Sequence, residues 1–186
     1  MRRLIVFNAV SLDGYYASVD GDMSFAHKQD AEWTAFVEGN ASAGGELLFG
    51  RITYELMVSY WPTPLAARNS PAVAGQMNAR RKVVFSRTLR EAAWSNTRLV
   101  DGDIAAEIRK MKEEPGPPMT ILGSGIIVRQ LTEERLIDEY QVVVVPVVLG
   151  GGKSMFSGIK EKLNLRLIGT RAFGNGNVLL CYEPMP

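Results

Sequence analysis

The chain has 186 residues with a formal net charge of +1; 46% of them are hydrophobic and 22% charged. That is enough for one domain, residues 1–186, with a full core, and it excludes a partner drawn in by strong global charge, such as nucleic acid or an acidic membrane. A single cysteine, Cys181, excludes an intrachain disulfide, and with only one histidine, His27, no metal site is expected.

Arg2 and Arg3 precede only a short apolar run, and Asn8 follows too soon for a secretory signal. No stretch reaches the length of about 18 apolar residues that a membrane span needs, so a cytoplasmic setting is expected.

Leu4 to Val10 is apolar except for Asn8, as in a strand buried on both faces. Ser11-Leu12-Asp13-Gly14 and Val19-Asp20-Gly21-Asp22 mark turns, with Tyr15, Tyr16 and Ala17 between them. A loop of this kind is a candidate ligand cover. Asp30 can cap a helix through Trp33, Phe36 and Val37 that ends at Gly39-Asn40. Glu46 to Phe49 reads as a strand, and Gly50-Arg51 opens a helix with Tyr54, Met57 and Val58 inside, stopped at Trp61-Pro62. Residues 65–80 read as a loop and a short helix after Pro71.

Lys82 to Phe85 is the next strand, and residues 93–100 hold another short one. Asp103 to Lys112 is a surface helix with Ile104, Ile108 and Met111 as its apolar stripe. Strand-like Met119 to Leu122 leads through Gly123-Ser124-Gly125 into a helix ending near Leu131. Leu136 to Val145 is the most β-like stretch, and Pro146 predicts an edge or bulge. Leu163, Leu165 and Leu167 alternate with polar residues, as in a half-exposed strand. Phe173 to Asn177 is a hairpin turn, and Asn177 to Tyr182 closes the sheet. The fold class is α/β: a mixed, mostly parallel sheet flanked by helices, with a C-terminal antiparallel hairpin.

Three strand ends share one chemistry: Gly50-Arg51-Ile52-Thr53, Ser86-Arg87-Thr88 and Gly123-Ser124-Gly125. A Gly turn that opens a helix leaves backbone N–H groups for an anion. Two guanidinium groups with hydroxyls beside them can grip a phosphate. The same residues also read as tight turns and solvated surface arginines. Gly123-x-Gly125 has Val128 where a dinucleotide fingerprint has its third small residue. Gly150-Gly151-Gly152-Lys153-Ser154 has Val147 where a phosphate-binding loop needs Gly, and it reads as a flexible loop. Asp30 can relay a proton or simply cap its helix, and Asp13 reads as a turn former.

Taken together, Ser11-Leu12-Asp13-Gly14, Gly50-Arg51-x-Thr53, Ser86-Arg87, Gly123-x-Gly125 and the block from Leu136 through Pro146 to Gly152 resemble the dihydrofolate reductase-like superfamily. Within it they resemble the RibD C-terminal reductase domain of riboflavin biosynthesis and its stand-alone relatives. The resemblance implies NADPH as cofactor. Arg51, Ser86 and Arg87 would hold its 2′-phosphate, with Gly50 opening that turn and Thr53 at the pyrophosphate. Gly123, Ser124, Gly125 and Ile126 would line the pyrophosphate from the other side, and Ala9 and Tyr16 would meet the nicotinamide.

Asp30 would match the acid of true dihydrofolate reductases, with Phe25 in place of a Trp before it and Lys28 where a Pro is expected. The resemblance implies an NADPH-dependent oxidoreductase acting on a pterin- or pyrimidine-like heterocycle or a carbonyl, present as a homodimer. The long segment between Gly50 and Ser86 argues against dihydrofolate itself. The alternative is a non-catalytic NADP(H)-binding sensor on the same fold.

Overall fold

Strand β1, Leu4–Ser11, is the centre of the sheet. Leu4, Val6 and Val10 pack into one hydrophobic layer, while Phe7 and Ala9 face another on the opposite side. This two-sided burial explains why the run is apolar apart from Asn8 and the terminal Ser11. The computed structural model describes residues 1–27 and 30–186, so Lys28 lies outside the described residues.

The elements then follow in order: α1 (Ala31–Ser42), β2 (Glu46–Gly50), α2 (Arg51–Tyr60), α3 (Pro64–Asn69), α4 (Pro71–Ala79), β3 (Lys82–Phe85) and β4 (Thr97–Val100). After them come α5 (Ile104–Glu113), β5 (Met119–Leu122), α6 (Gly125–Glu133), β6 (Glu139–Val145), β7 (Leu165–Ala172) and β8 (Val178–Pro184). The eight strands form one sheet in the order β4-β3-β2-β5-β1-β6-β8-β7. All pairs from β4 to β6 are parallel, and β8 and β7 return antiparallel. The carboxyl ends of β3, β2, β5 and β1 therefore lie side by side on one edge.

Helices α5 and α6 cover one face through Ile108, Met111, Ile127 and Leu131. The other face carries α2 and α4 through Tyr54, Val73 and Met77, and α1 through Trp33. Asp30 caps α1 by accepting the Trp33 N–H at 2.7 Å. The helix runs on through Gly39-Asn40 to Ser42, because neither residue there adopts a left-handed backbone that would end it.

Two expectations need correction. Part of the predicted loop after Pro64 is helix α3: Thr63 caps it, accepting the Ala66 N–H at 3.2 Å, with Pro64 in the first turn. Strand β6 is an interior strand between β1 and β8, and it begins at Glu139 rather than Leu136. Pro146 ends the strand instead of marking an edge. The edge strands are β4 and β7, and β7 has Leu165, Leu167 and Ile168 exposed.

A buried lysine organises the far half of the sheet. Lys82 on β3 is 1% exposed. Its Nζ donates to the carbonyls of Asn78, Arg80 and Ser95 at 2.7–3.1 Å, and it lies 4.4 Å from the Trp94 ring centre. A cation at the end of α4 suits the carbonyls left unpaired there.

Candidate functional site

The turn after β5 is built from the residues around it. Gly123 and Ser124 both have left-handed backbones, with φ of +62° and +59°. Glycine adopts this freely, whereas serine there is held by its neighbours. Ser124 Oγ accepts the Gly50 N–H at 2.7 Å and donates to Thr53 Oγ1 at 3.0 Å. The Ser124 N–H also reaches Thr53 Oγ1, at 3.1 Å. On the other side, Asn8 from β1 spans Gly123, accepting its N–H at 2.5 Å and donating to its carbonyl at 3.2 Å.

These bonds set the starts of α2 and α6 side by side. Neither helix has a side-chain cap or an acidic residue in its first turn. Two positive helix ends meeting at one turn can cradle an anion. Arg51 at the first position of α2 adds a further positive charge. In this structure its guanidinium is paired with Glu55 at 3.0 Å, an exposed contact of the weak i,i+4 kind.

Phe85, which pairs with Gly50 across β2 and β3, borders a cleft of about 420 Å³ at the ends of β3 and β4, lined also by Ser86, Arg87, Val100, Asp101, Ile104 and Gln130 among others. Ser86 Oγ accepts the N–H groups of Thr88 and Leu89, so it shapes its own turn. Arg87 is exposed at the rim. The sequence reading missed the wall formed by Val100, Ile104 and Gln130, which the pairing of β4 with β3 and the packing of α5 and α6 bring together.

At the other end of the turn, Tyr16 lies across the start of α6: a Cβ on Gly125 would meet its ring at 2.6 Å. Burial pushes the Tyr16 phenol pKa up. Ile126 is exposed. Ala9 faces the α1 layer instead, so the two expected nicotinamide contacts flank the sheet edge from opposite sides.

The Tyr16 loop is fixed to the glycine-rich segment. The Tyr16 N–H donates to the Lys153 carbonyl at 2.9 Å, and the Lys153 N–H to Ala17 at 2.8 Å. Asp13 accepts the N–H groups of Leu149 and Gly150 at 3.1 and 2.8 Å. The Ser11 hydroxyl, with these N–H groups, holds the Asp13 carboxyl below its ordinary range. Residues 150–154 thus serve as a strap on the loop, and no helix follows them to make a phosphate-binding loop.

Asp30 lies on the α1 side of the sheet. Its Oδ1 is engaged at the start of α1, and Oδ2 lies against the hairpin turn, where a Cβ on Gly174 would meet it at 3.3 Å. Around it are Trp33, Phe36 and Phe173, with ring centres 5.0–5.4 Å apart. Arg171 covers Phe173 at 4.7 Å and pairs with Glu32 at 3.0 Å. Among the described residues there is no cluster of His, Cys, Asp or Glu that could hold a metal ion. No helix among them is long and apolar enough to cross a membrane.

The comparison with known families decides the kinship: residues 2–179 match the RibD C-terminal domain. The chain belongs to that family. It is 29% identical to YyaP, an uncharacterized protein of Bacillus subtilis (strain 168), over 98% of this chain and 95% of that one. It is 26% identical to YwjB, an uncharacterized protein of the same organism, over 93% of each.

Among solved structures, a candidate riboflavin biosynthesis protein of Shewanella sp. PV-4 superposes with a TM-score of 0.73 at 23% identity, covering 99% of both chains. The Thermotoga maritima deaminase/5-amino-6-(5-phosphoribosylamino)uracil reductase superposes at 0.69 and 15% identity, over 99% of this chain and 57% of that longer one. A pyrimidine reductase-like protein of Corynebacterium diphtheriae gives 0.62 at 11% identity, over 100% of this chain and 92% of that one. At these identities the structures establish a shared fold. Family and fold together mark a reductase-like protein built on the dihydrofolate reductase-like sheet.

Proposed function

We propose that this RibD C-terminal domain protein is an NADPH-dependent reductase of a small heterocyclic or carbonyl compound. The observation that carries the proposal is the pair of uncapped helix starts, α2 and α6, held together by the Gly50–Ser124 hydrogen bond at 2.7 Å. Such a cradle suits a pyrophosphate, and the cleft beside it suits an adenosine half. The residues fit the cofactor that the family implies. Gly50, Thr53, Gly123, Ser124, Gly125 and Ile126 would surround the pyrophosphate. Arg87 and Arg51 would take the 2′-phosphate, Arg51 by exchanging its exposed Glu55 contact, and Ser86 would order the turn beneath it. Ala9 and Tyr16 would border the nicotinamide.

When bound, NADPH supplies a hydride. This chain would orient the reacting partners and exclude water, with Tyr16 and its strapped loop as cover. Asp30 has one carboxyl oxygen free of its capping role, and it would hold or deliver a proton at a substrate placed near the α1 layer. The free β7 edge, with Leu165, Leu167 and Ile168 exposed, supports a homodimer, and the lack of disulfide chemistry fits the cytoplasm.

The test is a substrate screen that follows loss of NADPH absorbance with pterins, pyrimidines, flavins, quinones and aldehydes. Turnover with a member of one class supports the reductase. Tight NADPH binding without turnover in any class supports a sensor on the same fold.

A further inference from the structure

Asn8 is a polar residue buried at the middle of the sheet, 5% exposed, in a strand that is otherwise apolar up to its last residue, Ser11. An amide placed there needs partners. The parallel pairing of β1 with β5 ends at Phe7 and Leu122. One residue further on, the β5 chain turns away into the left-handed Gly123-Ser124 pair. The Asn8 side chain takes over where the backbone ladder stops: Oδ1 accepts the Gly123 N–H at 2.5 Å, and Nδ2 donates to the Gly123 carbonyl at 3.2 Å. The side-chain amide thus stands in for a strand peptide. Nδ2 also touches Met155 Sδ at 2.8 Å, which ties in the segment after the glycine-rich strap.

Gly123 is also hemmed in from the α2 side, where a Cβ would meet Thr53 at 2.9 Å. The turn is therefore held between a side chain of β1 and a side chain of α2. Thr53 and Ser124 join the two helix starts, and Asn8 anchors the turn to the central strand, whose next residue is Ala9.

We infer that Asn8 is the positioning residue of the pyrophosphate cradle: it sets the angle of the Gly123-Ser124 turn, and through it the placement of the α6 N–H groups, without touching the cofactor. This role rests on the NADPH reading above. It carries a consequence that a merely structural role lacks. Loss of Asn8 should weaken ligands that use the pyrophosphate and spare a ligand that uses only the adenosine 2′-phosphate end.

Two variants keep the test open to failure. Asn8→Val suits the apolar strand, and Asn8→Ser removes the reach to Gly123 with less bulk. In each, amide exchange at Gly123 is measured by NMR, and NADPH and adenosine 2′-phosphate are titrated separately. The expected result is Gly123 exchange faster by about tenfold or more, NADPH binding weaker by about tenfold or more, and adenosine 2′-phosphate binding within about twofold of the parent protein. NADPH affinity within about twofold of the parent, or an equal loss for both ligands, would overturn the positioning role. Unchanged Gly123 exchange would overturn the clamp itself. If the parent protein binds neither ligand, the NADPH reading falls and takes the positioning role with it, while the exchange measurement still decides the clamp.

Discussion

Ser124 Oγ accepts the Gly50 N–H at 2.7 Å, joining the start of α6 to the start of α2 across the sheet's carboxyl edge. One hydroxyl thereby sets the spacing of two helix ends that would otherwise meet only through Thr53.

Replacing Ser124 by Ala leaves the Gly50 N–H without its acceptor. Stability should fall by about 1–2 kcal/mol, and NADPH affinity by about tenfold. Thermal unfolding and fluorescence titration of the same variant check both.

Lys82→Met removes the donor to the three backbone carbonyls of Asn78, Arg80 and Ser95 and keeps the apolar volume. The expected loss is about 2 kcal/mol, because three charge-assisted hydrogen bonds of a buried side chain are lost at once. Denaturant unfolding measures it.

Lys82 also predicts a pH dependence. Burial, with Arg80 nearby, lowers its pKa from 10.5 to about 8 in the folded protein. Between those values the unfolded chain binds more protons than the folded one, so this group adds stability as pH rises from about 8 toward 10.5 and adds no pH dependence below that window. The difference in unfolding free energy between the parent protein and Lys82→Met, followed across the window, should grow with pH.

Asn177 is fully buried, and neither its Oδ1 nor its Nδ2 has a hydrogen-bond partner. It lies opposite the end of β6, beside Phe173. Asn177→Val should stabilise the protein by about 1 kcal/mol or more, since an apolar residue of similar size removes the desolvation penalty of an unpaired buried amide. A higher thermal midpoint is the expected reading.

Asp30→Asn keeps a side-chain oxygen for the Trp33 N–H, whereas Asp30→Ala loses the cap and about 1 kcal/mol. If Asp30 handles a proton, Asp30→Asn keeps its thermal midpoint and loses turnover on any substrate found by the screen.

Much of this was legible in the residues. The apolar runs at Leu4, Glu46, Lys82 and Met119 became β1, β2, β3 and β5, because a strand buried on both faces has no room for polar alternation. The turns at Gly50, Ser86 and Gly123 gathered at one edge because parallel pairing leaves no other arrangement.

What stayed hidden depends on the fold as a whole. The place of β6 inside the sheet is decided by the return of β8, which local pattern does not encode. Thr63-Pro64 looks like the end of one helix, yet it caps the next. Asn8 appeared only as an interruption in an apolar strand, and its partner lies 115 residues away. The apparent phosphate grip of Ser86 and Arg51 is partly taken up locally, by the Ser86 turn and by Glu55.

The most direct test of the central claim is a side-by-side titration of NADPH and NADH against the parent protein, Arg87→Ala and Arg51→Ala. The account predicts that the parent binds NADPH at least about tenfold more tightly than NADH, and that either substitution removes most of that preference while leaving NADH binding nearly unchanged. Equal affinity for both dinucleotides, unaffected by either substitution, would contradict it.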